Sequence, residues 1–161
     1  LGKTGCELPS ELEADEAFLT VMEAIRRAGS VAMGLTPDLA AAAKLASIPK
    51  VAILSAPQQS TTLSGRTLEA HDMDIGVRMI SVGQPHRAVP ITGAVCLAVA
   101  ARVAGSIAHT LCTNSDGPIR IGHPSGSILV DATVKNGKAE NGAVFRSARR
   151  LFEGNVIYRA R

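Results

Sequence analysis

The sequence predicts an α+β fold in which a mixed, mostly antiparallel sheet wraps around a central apolar helix. Helix-type periodicity dominates the first part of the chain, and strand-type alternation dominates the last part. Between them, residues 94–103 are almost wholly apolar and rich in alanine. A helix that is apolar on every face cannot lie on a surface, so we expect this one to be buried on all sides. Helices and strands that segregate along one chain are typical of α+β architecture.

The N-terminal part predicts a loop followed by an amphipathic helix. Glycines and a proline interrupt residues 1–10, which we therefore expect to form a loop. Residues 15–28 form the clearest helical pattern, with acidic residues at the start, arginines near the end and Gly29 after it. The face predicted to pack on the core consists of Phe18, Val21, Met22 and Ile25.

A second helix and a strand should follow. Thr36 before Pro37 predicts a helix start, and that helix should run to about Ala46. The short apolar run at residues 50–56 predicts a buried strand, and the polar residues 58–65 predict a loop.

Residues 72–82 fit either a helix or a strand. Ile75, Met79 and Ile80 recur at helical spacing, which favours a helix. The β-branched content of the same segment would also suit a strand. We expect the helix.

After the central helix the pattern changes to strands. A turn at residues 83–90 leads into that helix, and Gly105 should end it. Asn136-Gly137 is a strong hairpin signal. The predicted strands are residues 106–112, 119–122, 127–134, 143–147 and 155–159.

Composition restricts the class of protein. A length of 161 residues suits one domain over 1–161 with a sizeable core. A net charge of +3, one Tyr, three Phe and no Trp argue against a nucleic-acid partner. The apolar run is too short to span a bilayer, so we expect no membrane partner. Three cysteines without a CxxC pair favour a reducing, cytoplasmic setting, and four scattered histidines show no metal-ligand spacing.

The start of the central helix is the first candidate site. A helix N-terminus has free N–H groups that can bind an anion, here those of Thr92, Gly93 and Ala94. The simpler interpretation is an ordinary core helix that Thr92 caps. Cys96, one turn further on, is interpreted first as a small core residue.

A turn and several arginines are further candidates. Ser125 and Gly126, in the segment His123-Pro124-Ser125-Gly126, could bind a carboxylate through backbone N–H groups and a hydroxyl, although the pattern by itself favours an ordinary turn. Arginine binds carboxylates with two parallel hydrogen bonds, but most surface arginines are only solvated. The arginines considered are Arg78, Arg87, Arg146, Arg149 and Arg150.

Together the motifs resemble the second half of the PrpF family of isomerases. They are KTG near the start, MGL at 33–35, PKVAILSAP at 49–57, RMISVGQPHRA at 78–88, TGAVCLAVAARVAG at 92–105, IGHPSG at 121–126 and RSARRLFEGNV at 146–156. The resemblance covers essentially the whole chain, in the family's order. It implies a fold similar to that of diaminopimelate epimerase, with two domains that each wrap a sheet around a central helix and a site in the cleft between them.

The resemblance also implies roles for this chain. It would be the C-terminal domain, with residues 1–14 as the interdomain segment, and the family's catalytic lysine and cysteine would belong to the other domain. The helix start would bind substrate carboxylate, supported by Ser125, Gly126, His86 and Arg78. No metal and no organic cofactor would be needed.

The function expected from the resemblance is that of a cofactor-independent isomerase or tautomerase. It would shift a proton on an unsaturated di- or tricarboxylic acid such as methylaconitate, aconitate or oxalomesaconate. The alternative is a non-catalytic carboxylate-binding or interaction domain. Besides the small acid, expected partners are the N-terminal domain of the same protein and, through exposed apolar surface, a second copy in a homo-oligomer.

Overall fold

A computed structural model of the chain describes residues 1–146, 149–155 and 157–159. Helices in these residues span Pro9–Glu13 (α1), Glu16–Ala32 (α2), Leu39–Lys44 (α3), Ile91–Ala101 (α4) and Ile107–Leu111 (α5). Strands span Val51–Ser55 (β1), Ser60–Thr61 (β2), Thr67–Leu68 (β3), Ile75–Ser81 (β4), Gln84–Pro85 (β5), Ile119–His123 (β6), Gly126–Lys135 (β7) and Lys138–Phe145 (β8). A 3₁₀ turn lies at Ala70–Asp72. Nowhere in these ranges is a helix both long and apolar enough to cross a bilayer.

The main sheet is mixed but mostly antiparallel, as predicted. Its strand order is β1-β4-β6-β7-β8, with β5 paired to β4, while β2 and β3 form a separate ribbon. Every pairing is antiparallel except that of β4 with β6, where Ile75 lies opposite Ile121. Side chains alternate along a strand, so odd-numbered residues of β4 and β6 share one face of the sheet.

Helix α4 lies on that face, mainly over β7 and β8. Helix α4 lies close to β8 because Gly142 has no side chain. A Cβ on Gly142 would lie 2.6 Å from Val95 Cγ1. The face towards the sheet is buried and consists of Gly93, Ala94, Leu97, Ala98 and Ala101. The opposite face, with Thr92 and Cys96, is exposed. The prediction of burial on all sides is therefore wrong, because this sheet covers one side of the helix.

Helix α2 buries a line of residues four apart, the first two against the other face of β1 and β4 and the last two against α3 and its flanking loops. The buried positions are Phe18, Met22, Arg26 and Ser30. Two residues that were predicted to face the core, Val21 and Ile25, are 39% and 46% exposed. The helix also continues through Gly29 to Ala32. The apolar sector of this helix is wider than the face it buries, and periodicity alone could not show which part of it meets the sheet.

Two segments have the opposite structure from the one predicted. Residues 75–81 form strand β4 and not a helix, and all seven are buried. A strand covered on both faces carries apolar residues without clean alternation, so its spacing can mimic that of a helix. Residues 107–111 form helix α5 and not a strand, because the Ser106 hydroxyl accepts a hydrogen bond from the His109 N–H at 3.0 Å and caps a short helical turn.

Several helices begin or end at residues other than those predicted. Asp38, not Thr36, caps α3 through the Ala41 N–H at 2.7 Å. The predicted loop at residues 1–10 already contains the start of α1, and α4 ends at Ala101, before Gly105.

The end of the chain departs from the strands predicted for it. Strand β8 begins at Lys138 and ends at Phe145. Asn155 and residues 157–159 form no strand. Ser147 and Val156, which the predicted strands included, lie outside the described residues.

Candidate functional site

The N-terminus of α4 has no side-chain cap. Pro90 is the N-cap residue, with φ −61° and ψ 145°, and no side chain caps the helix. The Ala94 N–H donates to the Pro90 carbonyl at 2.8 Å, so it is used within the helix. Ile91, Thr92 and Gly93 have no helical carbonyl four residues earlier, which leaves their N–H groups as the donors at this end. Thr92 is exposed and Gly93 is buried.

Strand β4 supports this end of the helix through Met79. A Cβ on Gly93 would lie 2.7 Å from Met79 Cε, so the end of the Met79 side chain packs directly against the start of the helix. The Met79 carbonyl accepts the His86 N–H at 2.8 Å. One residue of β4 thus positions both the helix start and the loop that carries His86.

His86 is half-buried, and its surroundings favour the neutral form of its imidazole. Burial, together with the charge of Lys50, lowers the pKa of its imidazole. Its Nε2 atom is buried without a hydrogen-bond partner in the described part of the chain. A buried polar atom of this kind costs stability unless a ligand or water satisfies it.

The turn between β6 and β7 is fixed against the loop that precedes α4. The Ser125 hydroxyl donates to the Arg87 carbonyl at 2.6 Å. The Pro124 carbonyl accepts the Leu63 N–H at 2.7 Å, which holds the turn from its other side. Gly126 has φ +132°, a conformation that favours glycine. The turn therefore lies against the loop that precedes α4.

Arg78 is separated from the other predicted site residues. It is 3% exposed and, as an even-numbered residue of β4, lies on the sheet face opposite to Met79. Its guanidinium donates to the carbonyls of Glu7 at 2.6 Å and Cys6 at 2.9 Å. Burial lowers the pKa of this guanidinium. Arg78 thus holds the N-terminal segment against the sheet.

His123 begins the predicted turn 123–126, although it was not selected as a site residue in its own right. It is 9% exposed and lies on the same face of the sheet as Met79. Burial and the charges of Arg78 and Arg146 lower the pKa of its imidazole to about 4. A cavity of about 310 Å³ lies beside it, lined by His123, Ser127, Ile128, Leu129, Phe145 and Arg146. The only sequence signal was its place in the segment His123-Pro124-Ser125-Gly126.

Another cleft lies away from the predicted site residues. A larger cleft of about 580 Å³ lies by α2 and α3, lined by Leu19, Thr20, Glu23, Ala24, Arg27 and Leu39. Its Glu23 and Arg27 are paired with each other at 2.7 Å, and none of the predicted site residues lines it. Among residues 1–146 and the described C-terminal residues, no three His, Cys, Asp or Glu side chains are grouped closely enough to bind a metal ion.

Sequence comparison identifies relatives of the whole chain. The family model for "PrpF protein" matches residues 1–159. A 2-methyl-aconitate isomerase from Shewanella oneidensis is 35% identical over 161 residues, which cover 97% of this chain and 41% of the relative. A 3-methylitaconate isomerase from Eubacterium barkeri is 32% identical over 157 residues, 95% of this chain and 41% of the relative. The chain therefore spans about two fifths of the length of these relatives.

A solved structure shares the fold. The crystal structure of a methylitaconate-delta-isomerase superposes with a TM-score of 0.85 at 31% identity, over 94% of this chain and 40% of that one. The fold expected from the sequence is confirmed by this likeness.

Proposed function

This chain belongs to the PrpF family, and on that premise we propose that it forms the carboxylate-binding part of an isomerase or tautomerase. The substrate is an unsaturated di- or tricarboxylic acid of the methylaconitate, aconitate or oxalomesaconate type. The observation that carries the proposal is the uncapped N-terminus of α4, an anion site in a chain whose relatives are named as isomerases of such acids.

The helix N-terminus supplies binding and electrostatic stabilisation. The N–H groups of Ile91, Thr92 and Gly93 hold one carboxylate, and the helix dipole adds positive potential there. When a base removes a proton from carbon next to that carboxylate, negative charge spreads onto the carboxylate oxygens. Donors that already point at those oxygens stabilise this charge without reorganising.

The proton-transfer groups come from elsewhere in the proposed molecule. The lysine and cysteine that the family resemblance implies belong to an N-terminal domain, which closes over the α4 entrance. Burial and nearby positive charge lower the pKa of His86 and of His123, so these two histidines act as hydrogen-bonding groups and not as strong bases. Three free cysteines suit a reducing compartment, so we place the protein in the cytoplasm.

The test removes one N–H group and leaves the helix intact. Ile91 is 51% exposed and follows Pro90, whose extended backbone already suits a residue before proline. Proline is tolerated at the first helical position, so Ile91→Pro deletes a donor, and Ile91→Ala is the matched control that keeps it. We expect about tenfold weaker calorimetric binding of tricarballylate, a saturated tricarboxylate, with Ile91→Pro alone.

Activity is measured on the natural protein that contains this chain. Isomerisation of cis-aconitate, methylaconitate or oxalomesaconate, followed by proton NMR, is the expected result. Tricarballylate binding without turnover of any of these acids would favour the non-catalytic carboxylate-binding domain. Equal affinities of both Ile91 variants would contradict the assignment of the α4 entrance.

A further inference from the structure

The side of helix α2 that faces away from the protein carries no charged residue. The buried line of this helix includes Arg26, which is 2% exposed. The residues exposed on the opposite side, which we call the outer α2 face, are Ala17, Thr20, Val21, Ala24, Ile25 and Ala28. A surface helix ordinarily directs its charges to solvent and its apolar residues to the core, so this arrangement is inverted. The inversion indicates a face that another surface covers.

Large apolar side chains extend this surface beyond the helix. Val21 and Ile25 are 39% and 46% exposed, and Leu39 at the start of α3 is 56% exposed. Leu39 and Ala24 both line the cleft of about 580 Å³ between α2 and α3, so the outer α2 face continues into that cleft. Contiguous apolar surface of this kind on a folded protein ordinarily marks a contact with another molecule.

The charges beside the outer α2 face have opposite signs at its two ends. Glu16 and Arg27 are separated by about three helical turns, so they project from the same flank of the helix, about 16 Å apart along its axis. The Arg27 Nε–H donates to Glu23 at 2.7 Å. A guanidinium has five N–H donors, so this pairing leaves donors for a second carboxylate.

A flank that is negative at one end and positive at the other is complementary to itself when reversed. A two-fold axis perpendicular to the helices makes two copies of α2 antiparallel and keeps this flank of both on the same side. Glu16 of one copy then meets Arg27 of the other, and the pair occurs twice. In the same register Val21 of one copy lies against Ala24 of the other, a pairing of unequal side chains that allows the helices to approach closely.

We propose that the outer α2 face joins two copies of this chain in an antiparallel, two-fold symmetric dimer with reciprocal Glu16–Arg27 ion pairs. The inference is independent of the proposed function. Helix α2 and helix α4 pack on opposite faces of the sheet, so both α4 entrances face away from the contact between the copies.

The first test is sedimentation velocity of the 161-residue chain between about 1 and 200 µM. The mass should rise from that of one chain, 16.7 kDa, to that of two, with a Kd on the order of 10 µM because one helix face makes a small interface. Ala24→Glu places a carboxylate from each copy in the apolar contact and should raise the Kd about 30-fold or more. Ala139→Glu, the same change at an exposed alanine of β8, is the matched control and should leave the Kd unchanged.

A charge exchange tests the antiparallel register and does not depend on the Ala24 variant. Arg27→Glu brings like charges together at both ends of the contact and should raise the Kd about tenfold. Adding Glu16→Arg to Arg27→Glu restores opposite charges, and the Kd should return to within about threefold of that of the unmodified chain. Lys138→Glu alters the net charge as Arg27→Glu does, at an exposed position of β8, and should have no effect. Far-UV circular dichroism verifies that each variant is folded.

Several results would overturn the inference. They are a chain that stays monomeric at about 200 µM, an Ala24→Glu variant that dimerises as tightly as the unmodified chain, and a double charge variant no tighter than Arg27→Glu. The natural protein that contains this chain should also dimerise and should dissociate with Ala24→Glu. If it is monomeric, or if its dimer is insensitive to Ala24→Glu, another part of that molecule covers the outer α2 face and the dimer is wrong. None of these measurements uses substrate, so a failure of the proposed function leaves them unaffected.

Discussion

Gly142 provides a sharp test of how closely β8 wraps α4. A glycine inside a strand is ordinarily unfavourable, and replacing it with alanine should stabilise a strand by about 0.5–1 kcal/mol. Here the new Cβ would lie 2.6 Å from Val95 Cγ1, well inside contact distance. Valine in a helix is held in one strongly preferred rotamer, so Val95 cannot turn away. The close packing predicts that Gly142→Ala lowers the free energy of unfolding, whereas the intrinsic strand preference predicts that it raises it.

The expected magnitude follows from these two terms. Forcing an extra methyl group into a packed contact costs roughly 1–3 kcal/mol. After the gain in strand preference, Gly142→Ala should lower the free energy of unfolding by about 0.5–2 kcal/mol. Val95→Ala removes the opposing methyl groups, so the double variant should recover most of that loss relative to Val95→Ala alone. The coupling energy between the two sites should be about 1–2 kcal/mol.

Urea denaturation of the four proteins, followed by far-UV circular dichroism, measures this cycle. The two single variants and the double variant should share the slope of the unmodified chain, so that differences in midpoint report stability. Asn141→Ala, at the exposed neighbouring position, is the control for a surface substitution in β8. If Gly142→Ala raises the midpoint, or if the coupling energy is zero, α4 does not lie against β8 as described.

Three further outcomes follow from α2 and the cysteines. Arg26 is 2% exposed and donates to three backbone carbonyls, so Arg26→Met should cost roughly 3 kcal/mol in urea denaturation, whereas Arg27→Met should cost about 0.5 kcal/mol or less. The hydrogen bond from Arg26 lowers the pKa of Glu23 from 4.5 to about 2. Stability that depends on Glu23 should therefore be complete above pH 4.5 and be lost as pH falls towards 2, a loss that Glu23→Gln abolishes. Iodoacetamide at pH 8 should modify the exposed Cys96 before Cys112, whose pKa burial raises, with peptide masses as the readout; the reverse order would contradict the placement of α4.

Local patterns were sufficient to predict much of the fold. The apolar run that became α4 and the Asn136-Gly137 turn between β7 and β8 depend on neighbouring residues, and both are where the sequence indicated. The segment 123–126 was recognised as a turn for the same reason. The resemblance to a known family added the sheet that wraps the helix, and the solved relative confirms that fold.

Long-range packing explains what the sequence could not predict. The seven residues of β4 are buried because α4 covers one face of the sheet, while α2 and the N-terminal segment cover the other, and no local signal records these partners. Arg26 appeared to be an ordinary charge near a helix end, yet its guanidinium reaches carbonyls 16 to 22 residues away. The pKa of His123 is lowered by its burial and by arginines on two other segments of the chain.

Strand β4 shows why a residue can affect a site without belonging to it. Its odd-numbered Met79 supports the start of α4, while its even-numbered Arg78 holds the carbonyls of Cys6 and Glu7 on the opposite face. Loss of Arg78 would free the N-terminal segment and allow β4 to shift, which would displace Met79 and the N–H groups above it. Substitution of Arg78 would then weaken carboxylate binding in the same manner as loss of a ligand, although its guanidinium faces away from the proposed site at the α4 N-terminus. Such an effect would be evidence for Arg78 as a positioning residue.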